Sequence, residues 1–368
     1  MTRGWPIRPY SRLSWSILNM PAFKGLRGLS RLSDQYKTTA SGAAMDTYLS
    51  VAFTASPYLA LWDWNAGAPT QLADPSDMPA LSGFGTSWSR DGRFMAVAIN
   101  ATPYIYVYDW NSGVPVKLSN PATLPAGSAW HPSWSPNGRF LAVPHSGSPY
   151  ITIYDFATGS PVKITNPGTL PTGNARGSAW SPSGRHLAVV HSTSPYVTFY
   201  DFATGSPVKV TNPGTLPTGT GNQVAWSPDG RYSAVVHSTS PFLTIYDWNT
   251  GSPVKISNPA TLPGISGTSC AWSPGGRYLA VGQGGSPYIG IYDWSTGSPV
   301  RMSDPADVPT SSVDGMAWSP SGRYLAIDRS GTDLLVYDWE TGTPVKAAVS
   351  ITQGNVNAVA WRPYVPIA

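Results

Sequence analysis

Three histidines occupy equivalent positions in the sequence: His145, His191 and His237 each stand ten residues before an aspartate. An imidazole ring can bind a metal, carry a proton or contact a ligand. A shared metal would need the ring nitrogens within about 4 Å of one another, whereas equivalent positions in stacked sheets lie about 10 Å apart. A metal centre is therefore not predicted. Two interpretations stay open. The histidines are residues of a loop at the rim, between two strands, that recurs with an internal repeat, or they form an arc of side chains that contacts a ligand.

Two tyrosines are the next candidates. Tyr150 and Tyr196 are predicted to begin the third strand of their repeats, and a tyrosine ring can stack on a sugar or on a side chain of a partner. Packing in the core is the alternative interpretation, and the residue types alone leave both open.

Acidic residues break the repeat at three places. Asp77 and Asp307 lie in connectors whose counterparts in the middle of the chain lack them, and Asp333 replaces the aromatic residue that the other repeats carry. At Asp77 and Asp307 the departure favours a patch for a cation or a partner, or it records drift among the copies. At Asp333 it indicates either a site or a single deletion.

Motifs for catalysis are missing from the sequence. It contains no spacing typical of a nucleophile with its base, of metal ligands or of a phosphate-binding loop. An enzyme on a repetitive scaffold should show an isolated cluster of carboxylates or histidines that breaks the repeat. We therefore predict a non-enzymatic protein without a cofactor.

The elements that position these residues are set by an internal repeat, which is sought first. An aspartate recurs at intervals of 46 residues, five times, and then of 45. Tryptophan recurs in a second register, mostly as Trp-Ser-Pro. The aspartates are Asp63, Asp109, Asp155, Asp201, Asp247, Asp293 and Asp338, and the tryptophans are Trp88, Trp134, Trp180, Trp226, Trp272, Trp318 and Trp361.

Each repeat reads as four short strands. Within one copy, Ser227-Pro228-Asp229-Gly230 is a turn because proline presets its own φ and glycine accepts a positive φ. The strands around such turns are apolar on both faces, which is expected of sheets packed between two neighbours. The sequence thus predicts an all-β, seven-bladed propeller with four-stranded antiparallel blades over residues 46–368. Residues 357–361 complete the first blade beside Tyr48 and close the ring.

Residues 1–45 are predicted to form a separate basic arm. They carry a net charge of +6, whereas the remaining residues sum to −2, so a nucleic-acid-binding body is not predicted. The arm is interpreted as disordered or as a docking segment that orders on a partner. Its candidate docking residues are Arg3, Trp5, Arg8, Arg12, Trp15, Lys24, Arg27 and Arg31.

Two further features exclude classes of protein. No apolar run approaches the 18 residues of a membrane span, so none is predicted. The single cysteine, Cys270, excludes a disulfide within the chain.

The repeat resembles the WD-repeat family. The resemblance covers residues 46–368 but lacks the Gly-His pair that usually opens such a repeat, so the family's histidine–aspartate hydrogen bond is not carried over. The motifs that carry it are Ala225-Trp226-Ser227-Pro228-Asp229-Gly230-Arg231-Tyr232 and Ile245-Tyr246-Asp247-Trp248.

The middle copies are nearly identical: residues 155–163 repeat as 201–209, and residues 166–173 as 212–219. Near-identical copies of this composition resemble propellers of tailed-bacteriophage virions. That resemblance implies a structural or binding protein of the tail or capsid surface, made in the host cytoplasm. Its arm would dock on other virion subunits, and its loop face would bind a host-surface glycan or protein. A cytoplasmic WD-repeat scaffold and a propeller glycosidase or lyase are the alternatives.

Overall fold

The computed structural model describes residues 48–64, 69–329, 334–347, 351 and 355–363. These residues form seven four-stranded antiparallel sheets, and they include no helix that could cross a membrane. The predicted all-β, seven-bladed propeller is confirmed. The predicted arm, residues 1–45, lies outside the described residues.

The strands follow one another in chain order, four to a blade. Blades 1 to 3 contain β1 (Tyr48–Phe53), β2 (Leu59–Asp63), β3 (Thr70–Gln71), β4 (Gly83–Trp88), β5 (Phe94–Ile99), β6 (Ile105–Asp109), β7 (Val116–Lys117), β8 (Ser133–Trp134), β9 (Phe140–Pro144), β10 (Ile151–Asp155) and β11 (Val162–Lys163). Blades 4 and 5 contain β12 (Ala175–Trp180), β13 (His186–His191), β14 (Val197–Asp201), β15 (Val208–Lys209), β16 (Gly221–Trp226), β17 (Tyr232–His237), β18 (Leu243–Asp247) and β19 (Val254–Lys255). Blades 6 and 7 contain β20 (Gly267–Trp272), β21 (Tyr278–Gln283), β22 (Ile289–Asp293), β23 (Val300–Arg301), β24 (Met316–Trp318), β25 (Tyr324–Asp328), β26 (Leu334–Asp338) and β27 (Val345–Lys346), and the last strand is β28 (Val356–Trp361).

The predicted turn between the first two strands of a blade is present. In blade 5, Gly230 has a φ of +73°, and its N–H donates to the carbonyl of Ser227 at 2.8 Å. The hydroxyl of Ser227 accepts from the N–H of Tyr232, also at 2.8 Å. The serine, the proline and the glycine therefore each serve the same tight hairpin.

The repeated tryptophan joins neighbouring blades. The indole N–H of Trp226 donates to the carbonyl of Ala179 in blade 4, at 3.1 Å, and its ring packs 4.9 Å from that of Trp248. An aromatic side chain buries about 150–250 Å², so this pair supplies much of the contact between two blades.

The repeated aspartate is structural. In blade 5, Asp247 accepts from the N–H of Asn249 at 2.8 Å and forms an ion pair with Arg231 at 2.9 Å. The arginine directly before the second strand thus takes the place of the histidine that the WD-repeat plan would supply.

The ring closes through the end of the chain, as predicted. β28 pairs with β1, with Trp361 opposite Leu49, and the indole of Trp361 donates to the carbonyl of Ala317 in blade 7 at 3.1 Å. Blade 1 therefore consists of β28 followed by β1 to β3.

The first strands surround the central channel. Each contacts the first strand of the next blade, in the closed order β28, β4, β8, β12, β16, β20, β24 and back to β28. Because the strands of a blade alternate in direction, each first strand begins on the face where the second strand ends. We call this the connector face, since the links between blades also lie on it.

Candidate ligand site at the mouth of the channel

The three predicted histidines lie inside the blades. His191 and His237 are the last residues of β13 and β17, His145 directly follows β9, and all three are fully buried. The interpretation as rim-loop residues is wrong, because the second strand continues to this position and a threonine of the third strand meets each ring. Burial lowers the pKa of each histidine to about 4. The rings do not face open solvent, so a surface arc of ligand contacts is not seen.

The two predicted tyrosines lie on the connector face. Tyr150 and Tyr196 are half-buried and each precedes the third strand by one residue, with φ values of +66° and +67°. The left-handed conformation turns the chain into the third strand. Tyr150 packs in part against the apolar cluster between blades 3 and 4, so both interpretations, packing and stacking on a ligand, stay open.

The acidic connectors do not form a single free patch. Asp77 lies 3.3 Å from Lys117, and the exposed Asp307 accepts the phenol of Tyr337 at its main-chain carbonyl. Asp333 lies outside the described residues, as do the eight docking residues of the arm from Arg3 to Arg31. Within the described ranges, no group of His, Cys, Asp and Glu side chains is arranged to hold a metal ion.

The repeat fails at a position that the sequence analysis missed. It lies four residues before each repeated tryptophan, where the first strand enters the channel from the connector face. Its seven occupants differ in chemistry, and we call them the channel-mouth ring: Asn357, Phe84, Trp130, Arg176, Asn222, Thr268 and Asp314 in blades 1 to 7.

Contacts between neighbours run around this ring. The rings of Phe84 and Trp130 stack, with their centroids 4.8 Å apart and their planes 10° from parallel. Arg176 donates to the amide oxygen of Asn222 at 2.9 Å, and Asn222 in turn donates to the carbonyl of Gly267 at 2.7 Å. These contacts fix the side chains before any ligand arrives.

The other polar members of the ring are held in the same way. Thr268 donates to the carbonyl of Val313 at 2.6 Å, and Asn357 donates to the carbonyl of Gly83 at 3.1 Å. Each acceptor belongs to the following blade, so the mouth and the joints between blades share their hydrogen bonds.

The channel-mouth ring carries two charges of opposite sign. Arg176 is exposed, and Asp314 is half-buried and accepts from the hydroxyl of Ser312 at 2.8 Å. Burial lowers the pKa of His131 in blade 3 to about 4, while the charge of Asp314 in blade 7 acts in the opposite direction.

A second carboxyl lies beneath Asp314. Asp328, the last residue of β25, is fully buried, and its Oδ1 accepts from the N–H groups of Asp314 at 2.7 Å and Gly315 at 2.8 Å. Its Oδ2 has no hydrogen-bond partner among the described residues. Burial raises the pKa of Asp328 well above its ordinary value.

Below the mouth, the side chains that line the channel are small. The position directly before each tryptophan is alanine or serine, as in Ala179, Ala225 and Ser133, and these residues are half-buried. A Cβ on Gly85, two residues above this level, would lie 2.7 Å from the carbonyl oxygen of Trp130. The first strands of blades 2 and 3 are therefore packed closely, and a ligand would enter at the mouth.

This arrangement offers a set of groups suited to a small polar ligand. It has two stacked aromatic rings, a guanidinium, two amides, a hydroxyl and a carboxylate, each from a different blade. Little in the sequence singles out this position, because the residues three before each tryptophan also vary, as Gly85, His131 and Gln223 show.

Comparison with known proteins supports the fold. The sequence model of one protein family, the eukaryotic translation initiation factor eIF2A, matches residues 158–283, about a third of the chain. No curated protein sequence matches the chain.

Several solved structures share the ring. A candidate 6-phosphogluconolactonase of Bacteroides uniformis is 13% identical with a TM-score of 0.70, covering 86% of this chain and 100% of its own. A second, from Bacteroides fragilis, is 13% identical with a TM-score of 0.69, covering 88% and 99%. The periplasmic gluconolactonase of Pseudomonas aeruginosa is 18% identical with a TM-score of 0.69, covering 86% and 99%. At these identities the likeness concerns the fold.

These neighbours correct two expectations from the sequence. The prediction of a non-enzymatic protein and that of a virion component are both contradicted, because the similar rings include gluconolactonases. The alternative of a propeller enzyme fits them better. The predicted partners of residues 1–45 stay predictions.

Proposed function

We propose that this propeller is a hydrolase that opens the lactone of a sugar acid at the channel mouth. The observation that carries the proposal is the channel-mouth ring: blades that repeat one scaffold carry a carboxylate, a guanidinium and two stacked aromatic rings at one equivalent position, four residues before the tryptophan. The gluconolactonases of the same fold suggest the class of substrate.

Each group has a role in that reaction. The stacked pair of Phe84 and Trp130 offers a flat apolar face to a sugar ring. The guanidinium of Arg176 donates one N–H to Asn222. Its other N–H groups can stabilise the negative charge that develops on the carbonyl oxygen of the lactone.

Asp314 serves as the general base. Its carboxylate takes a proton from water as the water oxygen bonds to the lactone carbonyl carbon. The ester C–O bond then breaks, and the departing ring oxygen receives that proton back from Asp314. One water molecule is consumed, and the product is the open hydroxy acid.

The test is hydrolysis of glucono-δ-lactone and 6-phosphogluconolactone by the full chain, followed with a pH indicator against buffer alone. D314N should lower kcat by about 100-fold or more, and R176A should lower kcat/KM roughly tenfold or more. The matched controls are D307N, an exposed acid of the same face, and R139A, whose guanidinium pairs with Asp155 at 2.7 Å.

Two results would overturn the proposal. One is a wild-type rate on both lactones equal to that of buffer. The other is a D314N rate equal to that of D307N.

A further inference from the structure

Asp328 occupies a position that is apolar in every other blade. It pairs with Leu334 across β25 and β26, just as Val236 pairs with Leu243 in blade 5 and Val190 with Val197 in blade 4. The remaining equivalents are Ala52, Ala98, Pro144 and Gly282. A carboxyl in a slot built for a small apolar side chain is unfavourable to bury, so the repeat by itself does not explain it.

The contacts of Asp328 point to one neighbour. Oδ1 accepts from the backbone N–H of Asp314 and from that of Gly315. The N–H of Asp328 in turn donates to the carbonyl of Gly315 at 2.9 Å. Three hydrogen bonds therefore tie Asp328 to the backbone of Asp314 and of the next residue, Gly315.

The surroundings of Asp314 leave little freedom for the chain there. A Cβ on Gly315 would lie 3.0 Å from the Cα of Ala358 in blade 1 and 3.5 Å from Oδ2 of Asp328. The backbone of residues 314–315 is thus held between the buried carboxyl on one side and the next blade on the other. In blade 5 the corresponding segment has no such acceptor, because Val236 stands at that place.

We propose that Asp328 is a positioning residue: it fixes the backbone of Asp314 so that the Asp314 carboxylate faces the channel mouth. The inference rests on the proposed function, in which Asp314 is the base. Asp328 does not itself reach the substrate, since it is fully buried.

Burial raises the pKa of Asp328, and the charge of Asp314 raises it further, against the two N–H groups that lower it. The raised pKa favours the neutral form of Asp328, which is fully buried. Its carbonyl oxygen can still accept both N–H groups, as the amide oxygen of asparagine would.

The experiment compares D328N, D328V and the control V190A, which alters the equivalent place in blade 4. D328N retains an acceptor and should keep at least about a third of kcat, whereas D328V installs the residue of blades 4 and 5 and should lower kcat by about 100-fold, with little change in KM. V190A should keep the wild-type kcat. In a double-mutant cycle, D314N with D328V should be no slower than D314N alone, because both changes act through one carboxylate.

Hydrogen exchange at the amides of residues 314 and 315 provides a readout that needs no substrate. D328V should exchange there about tenfold faster or more, and D328N should stay close to wild type. Equal exchange in D328V and wild type would overturn the positioning role, as would losses in kcat that multiply in the double variant. A wild-type protein that hydrolyses neither lactone would refute the proposed function. If the amides of residues 314 and 315 still exchange slowly only when Asp328 is present, Asp328 remains the residue that holds the Asp314 backbone.

Discussion

Nε2 of His191 lies 2.9 Å from the hydroxyl oxygen of Thr198 on the adjacent strand, and neither side chain is exposed to solvent by more than 2%. The pairs His145–Thr152 and His237–Thr244 have the same separation. Three consecutive blades thus hold a neutral imidazole against a hydroxyl.

These histidines should make the protein sensitive to acid. Their pKa in the folded state is about 4, below the value of about 6.5 expected after unfolding. The unfolded chain therefore binds more protons between these values. The stability that the neutral histidines contribute is therefore fully present above pH 6.5 and is lost as the pH falls towards 4. Each histidine should contribute about 2 kcal/mol less to the free energy of unfolding at pH 5 than at pH 7.

Urea unfolding at both pH values measures this loss. The triple variant H145Q, H191Q and H237Q places at all three sites the residue type that blade 6 carries as Gln283. It should lose most of the difference between pH 7 and pH 5. A triple variant that stays as acid-sensitive as wild type would contradict the assignment.

Asp328 should act at the other end of the pH range. Its pKa is raised in the folded state, so the folded chain binds the extra proton, and this contribution is lost as the pH rises from about 4 towards the raised value. The difference in unfolding free energy between D328N and wild type should therefore grow in favour of D328N from pH 5 to pH 8. If the free energies of unfolding of D328N and wild type change with pH in parallel, Asp328 is ionised in the folded state.

Trp361 should matter more than any other residue of the last strand. Its ring is 6% exposed, lies 5.1 Å from that of Trp64, and joins blade 1 to blade 7 through its indole N–H. W361A should lower the free energy of unfolding by about 3–5 kcal/mol. The control W62A, which alters a half-buried ring of the same blade, should cost less in the same denaturant titration, and equal losses would count against the closing role.

The repeated arginine and aspartate should contribute unequally. Asp109 accepts from the N–H of Asn111 at 2.9 Å and pairs with Arg93 at 2.8 Å, and the hydrogen bond from Arg93 lowers the pKa of Asp109. R93A removes a partly buried ion pair near the surface and should cost less than about 1 kcal/mol. D109A removes the same ion pair and also the hydrogen bond from the N–H of Asn111, and it should lower the free energy of unfolding by about 1–2 kcal/mol. Thermal unfolding of the two variants measures the order, and the reverse order would be inconsistent with a structural aspartate.

The sequence predicted the scaffold well because the scaffold repeats. Tyr48 and the segment ending at Trp361 indicate the closure from sequence alone, since the spacing leaves one blade without its first strand. His191 was misplaced by a single residue, because its pairing with Ala175, which carries the second strand on to it, depends on the assembled sheet.

The site was harder to predict for two physical reasons. Arg176 and Asn222 look like variation on a repeat until the closed ring shows that their position faces a common channel. Asp328 was hidden by a deletion in blade 7: counted back from Asp338 it aligns with the histidines, but its pairing with Leu334 aligns it with Val236.

The joint between β28 and β1 also bears on how such a ring can change size. The sequence repeat is offset by one strand from the blade, so inserting or removing one whole unit of 46 residues leaves the first and last strands free to meet as before. A tandem gene duplication would then add a complete blade without a new way of closing the circle. Each added unit would also bring one more residue to the channel mouth, at first a copy of its parent and afterwards able to diverge without disturbing the joint.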